Sequence, residues 1–239
     1  MTIEFYELVA QDGRAFSPLC WPARLALAHK DIHPNVIACR FSEVDAKIAF
    51  TGQNVLPVLV DGADTVLDAW TIAEHLDTKY PNSGLGLLFP TSEAKETARR
   101  FNQHIQANNS CILHVIASDI ARLQSDEDRA VFIQKRARHW NNLSVEEFTS
   151  QHRSNPASRP AINAFLQPFR DQLGSKKFML GDAPTYADYL VASQFIWACT
   201  VSPYILIGED DVLFQWRERV FDLFGDLVRN NPAYPLIPC

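Results

Sequence analysis

The first eighty residues alternate strand and helix signals, and after a break rich in proline and glycine no further strand signal follows. That order constrains the fold more than any other feature of the chain. Ile3 to Val9 reads as a strand, and Pro18 to Lys30 as a helix with proline at its first position. Asn35 to Cys39 reads as a second strand and Glu43 to Phe50 as a weak helix. Val58-Leu59-Val60 and Thr65-Val66-Leu67 flank Asp61-Gly62-Ala63-Asp64, which is a hairpin pattern. Asp68 opens a helix that runs to Tyr80 and stops at Pro81. The predicted order is β-α-β-α-β-β-α, an α/β domain over residues 1–81.

Residues 82–92 have the composition of a linker, and residues 93–239 read as all-helical. Phe101, Ile105, Ile112 and Ile116 space one long helix; Leu213, Trp216, Val220, Phe224 and Leu227 space another. Thr185-Tyr186-Ala187-Asp188 has the form of a capping box with aspartate in the acidic position. It opens an apolar run, Tyr189 to Gly208, that contains no charge and approaches the length of a bilayer span. Ser193, Gln194, Ser202 and Pro203 interrupt that run and no basic flank orients it. It therefore reads as a buried core helix ending near Thr200. Gln151 to Pro160, polar and proline-containing, reads as a mobile loop.

With 47% apolar and 21% charged residues the chain is globular, and its net charge of −6 opposes nucleic-acid binding. Cys20, Cys39, Cys111, Cys199 and Cys239 form no C-x-x-C pair, and no Cys/His spacing resembles a zinc site. No metal is expected. Reduced thiols, and an N-terminus without a signal-peptide pattern, read as a cytoplasmic protein. Trp21, Trp140, Trp197 and Trp216 read as core.

Two segments carry chemistry. Phe16-Ser17-Pro18-Leu19-Cys20-Trp21 places a hydroxyl at a helix start. Asn54-Val55-Leu56-Pro57-Val58 puts a proline at the mouth of a short strand. A helix N-terminus stabilises an anion, and an exposed strand edge pairs with an extended peptide. Together they suit a small thiol peptide whose thiol pKa is to be lowered. On the residues alone, Ser17 is an N-cap before Pro18, and Asp68 is the N-cap of the third helix.

In this order and at these separations, the Ser-Pro-x-x-Trp entry at Ser17, the Leu56-Pro57 strand entry, the Asp68 helix start and the Thr185–Asp188 cap resemble cytosolic glutathione transferases over nearly the whole chain. The N-terminal domain is then thioredoxin-like. Phe16 to Lys30, and Phe195-Ile196-Trp197 with Phe221-Asp222-Leu223-Phe224, look most like bacterial β-etherases (lignin β-aryl ether cleaving glutathione transferases) and their fungal relatives.

The resemblance implies glutathione as co-substrate and Ser17 as the catalytic residue, hydrogen-bonding the glutathione thiolate. Lowering that thiol from about 8.5 to about 6.5 would be worth roughly 2.7 kcal/mol and raise the thiolate fraction about twenty-fold at pH 7. It implies a cis Pro57 that turns the Leu56 backbone outwards to pair with the cysteinyl unit. It also implies that Asp68 accepts the γ-glutamyl ammonium while the helix start holds the carboxylate. The family usually follows that acidic residue with serine; this chain has Ala69, whose backbone N–H remains, so one contact worth about 0.5–1.5 kcal/mol is missing. Val55 stands where the family often has a basic or amide residue, which leaves Gln53 or Lys47 for the glycine carboxylate. A second-substrate pocket is expected between the domains, lined by Ala10 to Phe16 and by Gln103 to His114. The implied activity is attack on a hydrophobic, aromatic electrophile, an aryl ether being one candidate, by a homodimer. Ala69 and Val55 also fit a ligand-binding protein without turnover. A glutathione-dependent thiol reductase acting through Cys20 fits less well, because Ser17 stands where the attacking cysteine would be and Cys20 reads as packed.

Overall fold

The computed structural model describes residues 2–140 and 142–234. Cys239 and the last residues of the expected helical region lie outside them. Strand β1 (Ile3–Leu8) leads to helix α1 (Trp21–His29), β2 (Asn35–Cys39) and the short α2 (Val44–Lys47), which continues as a 3-10 turn, Ala49–Thr51. The hairpin β3 (Val58–Asp61) and β4 (Asp64–Leu67) precedes α3 (Ala69–Lys79). The order is the one the sequence predicts, and the arrangement is thioredoxin-like. The sheet runs β2-β1-β3-β4, with β1 parallel to β2 and antiparallel to β3. A parallel pair needs a long crossover, and α1 supplies it. Phe5 lies opposite both Val36 and Leu59, and the Phe5 and Leu59 side chains are fully buried. Gly62 turns the hairpin at φ +69°, a conformation that costs glycine little.

Helix α1 begins at Trp21, three residues later than expected. The reason is local: the Ser17 carbonyl accepts both Cys20 N–H and Trp21 N–H at 3.1 Å, so Pro18 to Cys20 form a turn ahead of the helix.

The second half comprises α4 (Ser92–Asn108), α5 (Ser110–Arg122), α6 (Asp126–Arg136), α7 (Val145–Ser154), α8 (Ser158–Leu173), α9 (Tyr186–Val201) and α10 (Val212–Phe221). The single long helix expected from Phe101 to Ile116 is thus two, divided at Asn109. Side-chain amides there compete for backbone groups: Asn108 Nδ2 donates to the His104 carbonyl at 2.9 Å. The segment expected as a mobile loop, Gln151 to Pro160, instead contains the end of α7 and the start of α8. Pro160 falls in the first turn of α8, where no backbone N–H is required. Helix α10 stops at Phe221, short of the predicted Leu227, since Phe224 and Gly225 both adopt positive φ.

Every residue of α9 is buried. Its Thr185–Asp188 capping box forms as predicted, and the Asp188 carboxylate also accepts Met179 N–H and Trp216 Nε1–H, at 2.8 and 2.9 Å. Among the described residues no helix is long and apolar enough to cross a membrane. Helices α1 and α9 meet at the seam between the halves. His29 Nδ1 lies 2.7 Å from the Tyr189 hydroxyl, and the Tyr186 hydroxyl donates to the Ala69 carbonyl at 2.7 Å. Lys30 is buried at the same seam, paired with Asp77 at 2.7 Å and donating to the Gly86 carbonyl at 2.6 Å.

Candidate functional site

Between the sheet domain and helices α4, α5, α6 and α9 lies a hollow of about 590 Å³. Ser17, Leu56, Pro57, Asp68 and Ala69, five of the six residues predicted to form the site, line it. Ser17 is only 5% exposed, and its Oγ accepts Leu19 N–H at 3.2 Å. An oxygen that accepts one bond keeps its own proton for a second partner. The Leu56–Pro57 bond is cis, as the resemblance implies. Among the described residues no hydrogen bond engages the Leu56 N–H or C=O.

Asp68 is the N-cap of α3. Its carboxylate accepts Thr71 N–H at 2.9 Å and the Thr71 hydroxyl at 2.8 Å. It adopts φ +62° and ψ +155°, a region that is costly for any L residue by about 1–3 kcal/mol. Strain of that kind concentrates where a side chain must be aimed. The first two N–H groups of the helix, Ala69 and Trp70, carry no hydrogen bond among the described residues and border the hollow. They form a site suited to an anion.

Gln53 does not line the hollow. Its amide donates to the Val55 carbonyl at 3.1 Å, and Asn54 and Val55 form the wall instead. Lys47 is also committed elsewhere, to Glu43 at 3.0 Å and the Ala38 carbonyl at 2.6 Å. Of the expected segment Ala10 to Phe16, only Phe16 reaches the hollow. Ala15 is held away by Asn231, whose Oδ1 accepts its N–H at 2.9 Å. Ile105, Gln106, Asn109 and Leu113 line it as expected.

An aromatic wall begins beside Ser17. The rings of Phe16 and Phe41 lie 6.0 Å apart, and those of Phe41 and Phe132 lie 5.6 Å apart. Trp197, expected as core, is buried and also lines the hollow. Phe41, Phe132 and Arg136 were not among the residues expected here. The one sequence signal for the last two is their i, i+4 spacing on a helix capped by Ser125.

Cys20 is placed as a packed residue. It is 1% exposed, and burial pushes its thiol up to about 12 despite the Ser17 hydroxyl beside it. Burial likewise raises Cys39 and Cys111 to about 11 and Cys199 to about 12. Among the described residues no group of three or more His, Cys, Asp or Glu side chains could hold a metal ion.

Two sequence-family models match. Residues 13–84 match the glutathione S-transferase N-terminal domain, and residues 97–205 match the glutathione S-transferase C-terminal domain. Solved structures share the fold at low identity. A glutathione S-transferase of Ceriporiopsis subvermispora in complex with glutathione superposes with a TM-score of 0.76 at 20% identity, covering 94% of this chain and 96% of that one. Glutathione transferase GSTFuA2 from Phanerochaete chrysosporium gives 0.73 at 21% identity, with 95% and 93% covered. A glutathione S-transferase from Rhodospirillum rubrum gives 0.67 at 17% identity, with 100% and 96% covered.

Proposed function

The chain belongs to the glutathione transferase superfamily, and from that premise we propose that it binds glutathione in the hollow and directs its sulfur, beside Ser17, at an aromatic electrophile. One observation carries this reading: Ser17, Leu56 and the start of α3, far apart in sequence, border one hollow that the rings of Phe16, Phe41 and Phe132 also line. The polar groups there fit the tripeptide. The unpartnered Leu56 N–H and C=O suit the cysteinyl backbone, as an added strand would. Ala69 N–H and the helix end suit the γ-glutamyl carboxylate, and Asp68 its ammonium. Gln53 would reach the glycine carboxylate by releasing the Val55 carbonyl. Bound glutathione supplies a thiol nucleophile. Ser17 Oγ–H donates to the sulfur anion and so favours the charged form.

The aromatic wall selects flat, hydrophobic electrophiles. An aryl ether is one, in keeping with the β-etherase-like segments. The cysteines among the described residues, Cys20, Cys39, Cys111 and Cys199, are free, which suits a reducing, cytoplasmic setting. In solution the protein should be a homodimer, and light scattering that finds only a 27.0 kDa species at micromolar concentration would contradict this.

Ala69 in place of serine favours a second reading, a binding protein without turnover. Calorimetric titration with glutathione, followed by rates on a panel of aryl halides and aryl ethers, separates the two. Binding with turnover supports the transferase. Binding without turnover of any member supports the second reading, and failure to bind glutathione removes the transferase reading.

A further inference from the structure

The aromatic wall ends on a cation that has no counter-charge among the described residues. Arg136, at the last residue of α6, is half-buried, with its guanidinium carbon 4.4 Å from the Phe132 ring centroid and 5.7 Å from that of Phe41. Its one hydrogen bond among the described residues is a long contact of 3.5 Å to the Phe132 carbonyl in its own helix. No carboxylate pairs with it among those residues, and burial beside the rings lowers its pKa without any compensating acid. Most partly buried arginines in the chain are differently placed. Arg153 holds Asp119, and Arg170 holds Asp211 at 2.7 Å.

The charges around the hollow are lopsided. Asp68, Lys135 and Arg136 are the charged residues that line it among those described; the one acid stands at the start of α3, and both cations are on α6. The end of the hollow at α6 is therefore positive, and the other polar residues of the lining, Asn102, Gln106 and Gln194 among them, carry no charge. A guanidinium keeps its charge at any physiological pH and offers five N–H donors. Its guanidinium lies against the Phe132 ring and near that of Phe41, and its planar fork suits a planar oxyanion.

We propose that the electrophile is an acidic aromatic compound whose carboxylate, or a similar planar anion, docks on Arg136. Its ring lies along Phe132 and Phe41, and its reacting carbon points back towards Ser17. The order of contacts gives this polarity: Ser17 adjoins Phe16, then come Phe41 and Phe132, and Arg136 closes the row. Lys135, exposed on the same turn, adds attraction for the anion without the fixed geometry. The proposal rests on the transferase reading for the direction of attack, but not for the anion site itself.

The test compares 4-chloro-3,5-dinitrobenzoate with its neutral carboxamide as electrophiles at saturating glutathione. The proteins are the wild type, Arg136→Met and Arg136→Lys. In Arg136→Met the ratio of kcat/KM for the benzoate to that for the carboxamide should fall about ten-fold, as expected when one charge-assisted contact is lost. The lysine variant should recover part of the ratio. A ratio unchanged in Arg136→Met overturns the proposal, as does a loss confined to the KM for glutathione, which would put Arg136 in the glutathione site. Because the ratio compares two substrates on one protein, a general loss of folded enzyme does not mimic the effect. Quenching of tryptophan fluorescence by the unreactive 3,5-dinitrobenzoate gives a second readout that needs no turnover. If wild type binds this anion, and Arg136→Met does not, in a protein that fails to bind glutathione, the anion site stands and the transferase reading falls. If neither protein distinguishes the benzoate from the carboxamide, the anion site falls on its own.

Discussion

Asp68 caps α3 and, in the function proposed, would also receive the glutathione ammonium, with a backbone held in a costly conformation. As N-cap it satisfies Thr71 N–H, while φ +62° holds it in a conformation that L residues avoid. Asparagine caps as well and tolerates positive φ better, but carries no charge. Asp68→Asn should therefore shift the urea midpoint little, while weakening glutathione binding about ten-fold if the carboxylate receives the ammonium. Equal affinity in a calorimetric titration would assign Asp68 to capping alone. Ser17, Leu56–Pro57 and Asp68 were legible in the sequence because each is a residue type tied to a local backbone task. Phe41, Phe132 and Arg136 were not. They come from a loop and a helix on different domains, and only tertiary packing brings their faces together. Gln53 stands outside the lining of the hollow for a related reason: the nearby Val55 carbonyl captures its amide.

Among elements, α9 organises the helical half, and Asp188 fixes where it begins. That carboxylate accepts Met179 N–H, Thr185 N–H, the Thr185 hydroxyl and Trp216 Nε1–H, between 2.8 and 3.1 Å. It thereby ties the helix start to α10 and to the turn before it. Asp188→Ala leaves several buried donors without partners, each worth about 1–3 kcal/mol, so a loss of at least about 3 kcal/mol is expected from urea unfolding. A cost below about 1 kcal/mol would show that these bonds are replaced by others. Strong periodicity and a cap made α9 readable. Helices α6 to α8 fall within the region read as all-helical, but their bounds were not legible because they are amphipathic and polar overall, so composition resembles that of loops. Their capping serines, Ser125 and Ser144 with Glu147, were the available signal. The break at Asn109 was hidden because the apolar spacing runs through it almost in register.

At the scale of the molecule, function depends on the seam that holds the two halves around the hollow. His29 lies in that seam, 1% exposed, and burial lowers its pKa from 6.5 to about 4. A depressed folded pKa means that the unfolded chain takes up the proton first. The contribution of His29 is therefore fully present above about pH 6.5 and is lost as pH falls towards about 4, by up to roughly 3 kcal/mol. The slope of stability against pH over that window should flatten in His29→Gln. An unaltered slope would place the acid sensitivity in other groups. With the seam intact, Ser17 from one half stands beside an aromatic wall drawn from both. The central claim is that this arrangement ionises a bound thiol. Its direct test is the pH titration of thiolate ultraviolet absorbance in the glutathione complex of the wild type and of Ser17→Ala. The account predicts an apparent thiol pKa about two units below that of free glutathione in the wild type, rising back by at least about one unit in Ser17→Ala. A bound thiol that titrates like free glutathione, or a depressed pKa that survives in Ser17→Ala, would contradict it.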